Sequence, residues 1–304
     1  MSASRSLPRR GWLLLAAVSL LWGTNWVALK LSLAEIPVWQ YRAVTAEIAG
    51  LALLAAALVT GGAVRPPRGV WTPLLLGALF NVTGWQLLIA FGVKLIAANQ
   101  AAVLAYTMPV WATILGALFL GERVTRRRLA ALALAMAGVA VLLAPGLASL
   151  GAAPLGVLFS VAAAFSWALG TLVQKRARWG IALVAVAGWQ FVLGGLPFVL
   201  VALLCEPFVM AEASATALWA MVYTVALPLL FCQYGWFKVV TLFPTSVAAL
   251  GTVMVPVVGV LSAGLVLGEP LGWREFAALL FVLASLFLVL LEPAPRLARE
   301  EAAG

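Results

Sequence analysis

The chain has 304 residues, 65% of them hydrophobic and 10% charged, with 19 Lys and Arg against 10 acidic residues and no His. A soluble domain carries roughly 25% charged residues, and a chain of this length would need far more polar surface to cover its core. The composition excludes an ordinary soluble fold and points to lipid as the solvent.

A bilayer span needs roughly 20 mostly apolar residues, and backbone inside lipid must satisfy its own hydrogen bonds, which favours helices. No ten-residue alternation of the kind a β-barrel requires is present. Arg5, Arg9 and Arg10 precede the run from Gly11 to Trp22, as in a secretory signal. The apolar sequence continues to Leu33 without a small-residue cleavage site, so it reads as an uncleaved first span. Ten spans follow from the pattern: 11–31, 37–60, 71–92, 97–120, 127–144, 154–174, 181–203, 215–237, 244–267 and 272–291. Gly61-Gly62, Arg65-Pro66-Pro67-Arg68, Gly121-Glu122-Arg123, Pro145-Gly146, Glu206-Pro207 and Gly268-Glu269-Pro270 punctuate them. The fold class expected is all-α and integral to the membrane.

Charge orients the spans. With residues 1–10 as a cytoplasmic tail and strict alternation, 15 of the 19 basic residues fall on the cytoplasmic side, and 292–304 forms a second cytoplasmic tail. Lys30, Lys94 and Arg274 fall outside, and Arg42 lies within a span. This is the positive-inside pattern. The net charge of +9 therefore reports topology and anionic lipid, not nucleic acid.

The sequence also repeats. Trp22 stands eight residues before Lys30, and Trp167 eight before Lys175. Trp39-Gln40 recurs as Trp189-Gln190, Gln86 as Gln233, Pro109 as Pro256, and Gly121-Glu122 as Gly268-Glu269. Five pairs in one order, at offsets of 145–150, divide the chain into two five-span units, 11–144 and 154–291. Five is odd, so the second unit enters the membrane inverted, an arrangement that in transporters encloses a midplane substrate site.

These residues resemble the drug/metabolite transporter superfamily, in its ten-helix EamA-type branch. The likeness rests on Trp22-Gly23-Thr24-Asn25 to Lys30, Arg42, Pro109, Gly121-Glu122, Pro256 and Gly268-Glu269, and it covers residues 11–291. It is nearest to bacterial inner-membrane exporters of amino acids and metabolites, including aromatic amino-acid exporters. The resemblance implies ten helices around a central cavity, alternating access, and efflux of small metabolites. It also implies that the fifth and tenth spans lie at the periphery. The second unit departs from the first, with Leu169-Gly170 in place of Thr24-Asn25 and no counterpart of Arg42.

Enzyme chemistry finds little support. Without His there is no imidazole base or ligand; Cys205 and Cys232 are isolated thiols suited to packing; there is no Walker A sequence and no paired-carboxylate site. No metal and no cofactor are expected. Polar residues inside spans become the candidates, because such groups are costly in lipid unless partnered. On a straight helix Asn99, Ala102, Tyr106, Pro109 and Thr113 share one face of the fourth span. The ninth-span equivalents are Ser246, Ala249, Val253, Pro256 and Val260. Pro109 and Pro256 can shape a cavity or gate it, or can simply kink. Trp22, Asn25 and Trp26 share a face of the first span, and Trp167, Thr171 and Gln174 one of the sixth. Gln86 and Gln233 either join helices or face a cavity. Trp189 and Tyr234 complete the substrate-binding candidates. Trp12, Trp39, Trp71, Trp179, Trp219 and Trp273 sit near span ends, as in an aromatic belt. Arg42 and Glu47 are five residues apart; Glu47 either neutralises charge locally or takes a proton or a substrate amine. The fifth span carries Ala130, Ala133 and Ala137 beside Gly138, a stripe suited to close packing within or between protomers, so monomer and homodimer both stand.

The reading expected from these residues is a secondary exporter of small neutral or zwitterionic amphipathic metabolites, amino acids first. A phosphate ligand would want charge-assisted donors, and the fourth and ninth spans offer no Lys or Arg. A passive channel, or an exporter of drugs or other metabolites, is the alternative.

Overall fold

The computed structural model describes residues 9–121, 125–149, 153–242 and 245–290. Among them every regular element is helical. Helix α1 spans Arg9–Glu35 and α2 Val38–Val59. Next, α3 (Trp71–Gly77), a π-helical stretch (Ala78–Gly84) and α4 (Trp85–Leu95) run on as one rod. Then come α5 (Ala98–Ala105), α6 (Met108–Leu120), α7 (Arg126–Ser149), α8 (Ala153–Arg176) and α9 (Leu183–Cys205). A second rod joins α10 (Ala215–Thr224), a π-helical stretch (Val225–Phe231) and α11 (Cys232–Leu242), followed by α12 (Thr245–Leu267) and α13 (Trp273–Leu290). Seven stretches of the described residues are long and apolar enough to cross a bilayer, and Met254–Leu267, the part of α12 whose side chains are described, is a further apolar segment. The predicted tails, apart from Arg9 and Arg10, and Glu122 and Arg123 lie outside the described residues, as do the side chains of Ser246, Ala249 and Val253.

Helix ends follow local chemistry. Pro37, with φ −57° and ψ 144°, opens α2. Gly121 closes α6 with φ +66°, and Gly268 follows α12 with φ +65°. That left-handed position is where helices end on glycine, because a Cβ is disfavoured there. The Gly of each Gly-Glu pair is thus a helix stop.

The two π-helical stretches begin 147 residues apart, the spacing that separates Gln86 from Gln233. Pro228, which has no N–H to give, sits inside the second. Each widened turn presents a carbonyl to a neighbouring helix. Ser166 Oγ of α8 donates to Phe80 O at 2.8 Å, and Trp22 Nε1 of α1 donates to Pro228 O at 3.1 Å. The packing has the same reciprocity. Helix α1 lies on α12 and along the α10–α11 rod, while α8 lies on the α3–α4 rod and on α5 and α6. Helix α2 packs on α9, and α7 on α13.

The α7–α13 interface differs from the stripe expected in the fifth span. Ala131 and Ala135 are buried, and Gly138 lies against Ala278 and Val282, whereas Ala130 and Ala133 are exposed. One register step decides this, since adjacent residues on a helix point about 100° apart.

Loops tie the bundle at both ends. At one, Ala182 N–H donates to Ala63 O and Trp189 Nε1 to Val64 O at 2.9 Å. At the other, Ser214 N–H and Oγ donate to the Glu35 carboxylate. There Gln40 also donates to Pro207 O and accepts from Val209 and Met210 N–H.

Candidate functional site

A polar patch, buried at Tyr41, Arg42, Gln86 and Thr224 and half-buried at Thr24, Asn25 and Tyr223, lies where α1, α2 and α4 meet α10. Asn25 Oδ1 accepts from Thr224 Oγ1 at 2.9 Å. Thr24 Oγ1 and Tyr223 Oη lie 2.5 Å apart, and Tyr223 Oη also donates to Leu21 O. The Tyr41 phenol is fully buried; it faces Thr224 and Ser32 without completing a hydrogen bond to either. Beside it is Arg42, 3% exposed, its Cζ 5.2 Å from the Tyr41 ring centroid. Arg42 Nη1 donates to Gln86 Oε1 at 2.5 Å, while its Nε has no acceptor.

Of the candidates named from sequence, the structure brings Arg42, Gln86 and Asn25 into or beside this patch. Trp22 anchors α1 to the second π stretch, its ring 5.8 Å from Trp236. Trp167 meets Trp85 edge-on at 5.2 Å. Tyr106 packs against the main apolar core, which also takes in Trp26, Ile89 and Val103. Gln174 donates to Gln190 Oε1 at 3.1 Å. Gln233 is half-buried and without a hydrogen bond among the described residues. Tyr234 is exposed, with Lys238 Nζ 5.6 Å from its ring centroid.

Others lie elsewhere. Asn99 sits at the start of α5, where its side chain donates to Pro270 O at 3.2 Å. Trp189 lines a cavity of about 740 Å³ with Leu58, Arg65, Arg68 and Trp71, at the end opposite Asn99. Glu47 leans on α9: a Cβ on Gly195 would fall 2.5 Å from its Oε1, which has no hydrogen-bond partner. It forms no ion pair with Arg42.

The expected continuous face of the fourth span is interrupted. Tyr106 and Thr107 break the helix between α5 and α6, and Pro109 falls in the first turn of α6, where a missing N–H costs nothing. Pro256 instead lies inside an unbroken α12. Tyr41, Thr224, Ser32 and Tyr223 escaped the sequence reading. They are polar groups inside apolar spans, the signal that singled out Asn25, but unlike Asn25 they belong to no motif that the sequence marks.

Family comparison bears directly on this bundle. A family described as EamA-like transporters matches residues 9–144 and again 154–291. The chain belongs to the EamA-like transporter family, within the drug/metabolite transporter superfamily. A relative called a probable amino-acid metabolite efflux pump, from Salmonella typhimurium, is 30% identical over 295 residues, covering 93% of this chain and 95% of its own. An uncharacterized transporter of Bacillus subtilis, YvbV, is 29% identical over 293 residues, covering 94% and 93%. A known crystal structure shares the fold with a TM-score of 0.65 at 24% identity, over 93% of this chain and 98% of that one. This protein is therefore a membrane transporter of that family, with exporters among its relatives.

Proposed function

We propose that this EamA-family protein exports small neutral or zwitterionic amphipathic metabolites, amino acids first, across a bacterial inner membrane by alternating access. In this reading ten spans form two inverted five-helix units, with both termini in the cytoplasm. Support for the inversion comes from the reciprocal packing of α1 and α8 and from π-helical stretches 147 residues apart. The excess of Lys and Arg at the loop end near Arg65, Arg68 and Arg178 supports the orientation.

The observation that carries the substrate reading is the patch itself. Asn25 in the N-terminal half bonds Thr224 in the C-terminal half, next to Arg42, the one buried cation among the described residues. A small ligand with one polar end and an apolar remainder suits such a site. The relatives named amino-acid metabolite efflux pumps point the same way.

The test is transport by the purified chain in proteoliposomes against a panel of labelled amino acids, with and without the same amino acid trapped inside. Saturable, protein-dependent flux accelerated by trapped substrate is expected. Flux without that acceleration supports a passive facilitator instead. No flux for any panel member overturns the amino-acid assignment.

A further inference from the structure

We propose that Arg42, held in place by Gln86, is the anchor for a carboxylate on the transported molecule, which narrows the substrate class to carboxylate-bearing metabolites; this rests on the transport reading above. Buried charges in proteins are paired or coordinate an opposite charge, and cations inside membrane segments mark substrate or ion paths. Arg42 is 3% exposed, yet no carboxylate of the described residues pairs with it. Glu47, the acidic residue nearest in sequence, lies against α9 at Gly195 and forms no ion pair with Arg42.

The chain supplies Arg42 with a neutral amide oxygen and an aromatic face. Neither cancels a unit charge. A guanidinium has five N–H donors in a planar fork that matches a carboxylate. Gln86 uses one of them, from Nη1, and Nε is left without an acceptor. Gln86 is accordingly a positioning residue: it fixes the plane of the fork while leaving an edge free. Tyr41, whose ring centroid lies 5.2 Å from the guanidinium carbon, carries a second buried polar atom without a hydrogen-bond partner, its Oη. Arg42 itself is 3% exposed, and Ile89, Ala90 and Val93, which follow Gln86 on α4, are buried and apolar, so an incoming carboxylate would meet Arg42 in a low-dielectric site, where a charge-assisted pair is strong.

The test uses the full chain in detergent and thermal unfolding with five probes: L-phenylalanine, N-acetyl-L-phenylalanine, L-phenylalaninamide, sodium chloride and sodium phosphate. The two carboxylates should raise the melting temperature and the amide should not. Arg42→Gln should abolish the protection. Arg42→Lys, which keeps the charge and loses the fork, should raise the half-saturating concentration by about tenfold or more, the size expected for lost charge-assisted hydrogen bonds. Gln86→Leu should weaken it less. Protection by the amide equal to the acid, by chloride or phosphate alone, or by the acid in Arg42→Gln unchanged, overturns the proposal. The wild-type probe series decides the matter even if the Arg42 variants do not fold. Arg42-dependent binding without flux in proteoliposomes would sink the transport reading and keep the anchor. Flux of amines indifferent to carboxylates would do the reverse, and neither binding nor flux would sink both.

Discussion

Lys30 and Glu269 grip opposite sides of one tight turn. Lys30 Nζ donates to Val93 O at 2.6 Å and Ile96 O at 2.7 Å, carbonyls that α4 leaves open at its C-terminus. Two residues on, the Glu269 carboxylate accepts from the N–H groups of Ala98 at 2.7 Å and Asn99 at 2.9 Å, which α5 leaves open at its start. Both charges complement the helix ends they cap. Two signatures of the sequence, the Lys of the first span and the Glu after the last glycine stop, thus converge on one turn, each on two of its residues.

Replacing Glu269 by Ala removes two charge-assisted hydrogen bonds from a partly exposed site, and the expected cost is about 1–2 kcal/mol. Thermal unfolding in detergent should show a lower melting temperature than for Glu269→Asp, whose shorter carboxylate can still reach one N–H. Equal melting of the wild-type and Ala variants would show that the cap contributes nothing.

Lys30→Met keeps the apolar stem and removes the ammonium, leaving two carbonyls uncapped. Alone it should destabilise by about 1–2 kcal/mol. Because both side chains hold one turn, the double variant Lys30→Met with Glu269→Ala should lose less than the sum of the two. Strict additivity in the double-mutant cycle would show that the two caps act independently.

Small residues let α2 and α9 approach closely, as membrane helices often do. A Cβ on Gly50 would fall 2.8 Å from Val192 N and 3.0 Å from Gly188 O, both backbone atoms that cannot swing aside. Gly50→Ala should therefore cost about 1–3 kcal/mol through overpacking. Gly69→Ala, with nothing within 4 Å, is the matched control and should melt as the wild type does. A Gly50→Ala protein as stable as Gly69→Ala would mean that α2 and α9 can separate freely.

How much of this was legible beforehand depended on whether a residue's role is local. The apolar runs and their Gly and Pro stops depend on local physics, and the helices begin and end close to them. The repeat showed because paired residues keep their order. What could not be read was direction in three dimensions. Ala130 and Ala131 differ by one step, about 100° around α7, and one is exposed while the other is buried. Asn99 and Tyr106 line up on a straight helix, but the chain breaks between α5 and α6, and Asn99 binds the 268–270 loop instead. Arg42 was visible as a charge in a span; that its partner is Gln86 and not Glu47 required the packing of α4 and α9 around α2.

Glu47 supplies a carboxylate inside a span, with one oxygen lacking any donor. If it carries the coupling proton, Glu47→Gln should lose the acceleration of transport by a pH gradient while keeping exchange of labelled for unlabelled substrate across equal pH. The comparison is made in the same proteoliposomes. A gradient response that survives the substitution assigns the coupling elsewhere.

The two cysteines offer a test of orientation. Cys205 is exposed and closes α9, next to Glu206 at the end of the bundle that holds Glu35 and Gln40. Cys232 is buried, its Sγ against Val18 O. With both termini in the cytoplasm, the end carrying Cys205 faces outward. A membrane-impermeant maleimide added to intact spheroplasts should label the Cys232→Ala protein and leave the Cys205→Ala protein untouched. Labelling of the Cys232→Ala protein only after lysis would invert the orientation. It would also place the acidic end of the bundle, with Glu35, Glu206 and Glu269, in the cytoplasm, against the charge rule by which the spans were oriented.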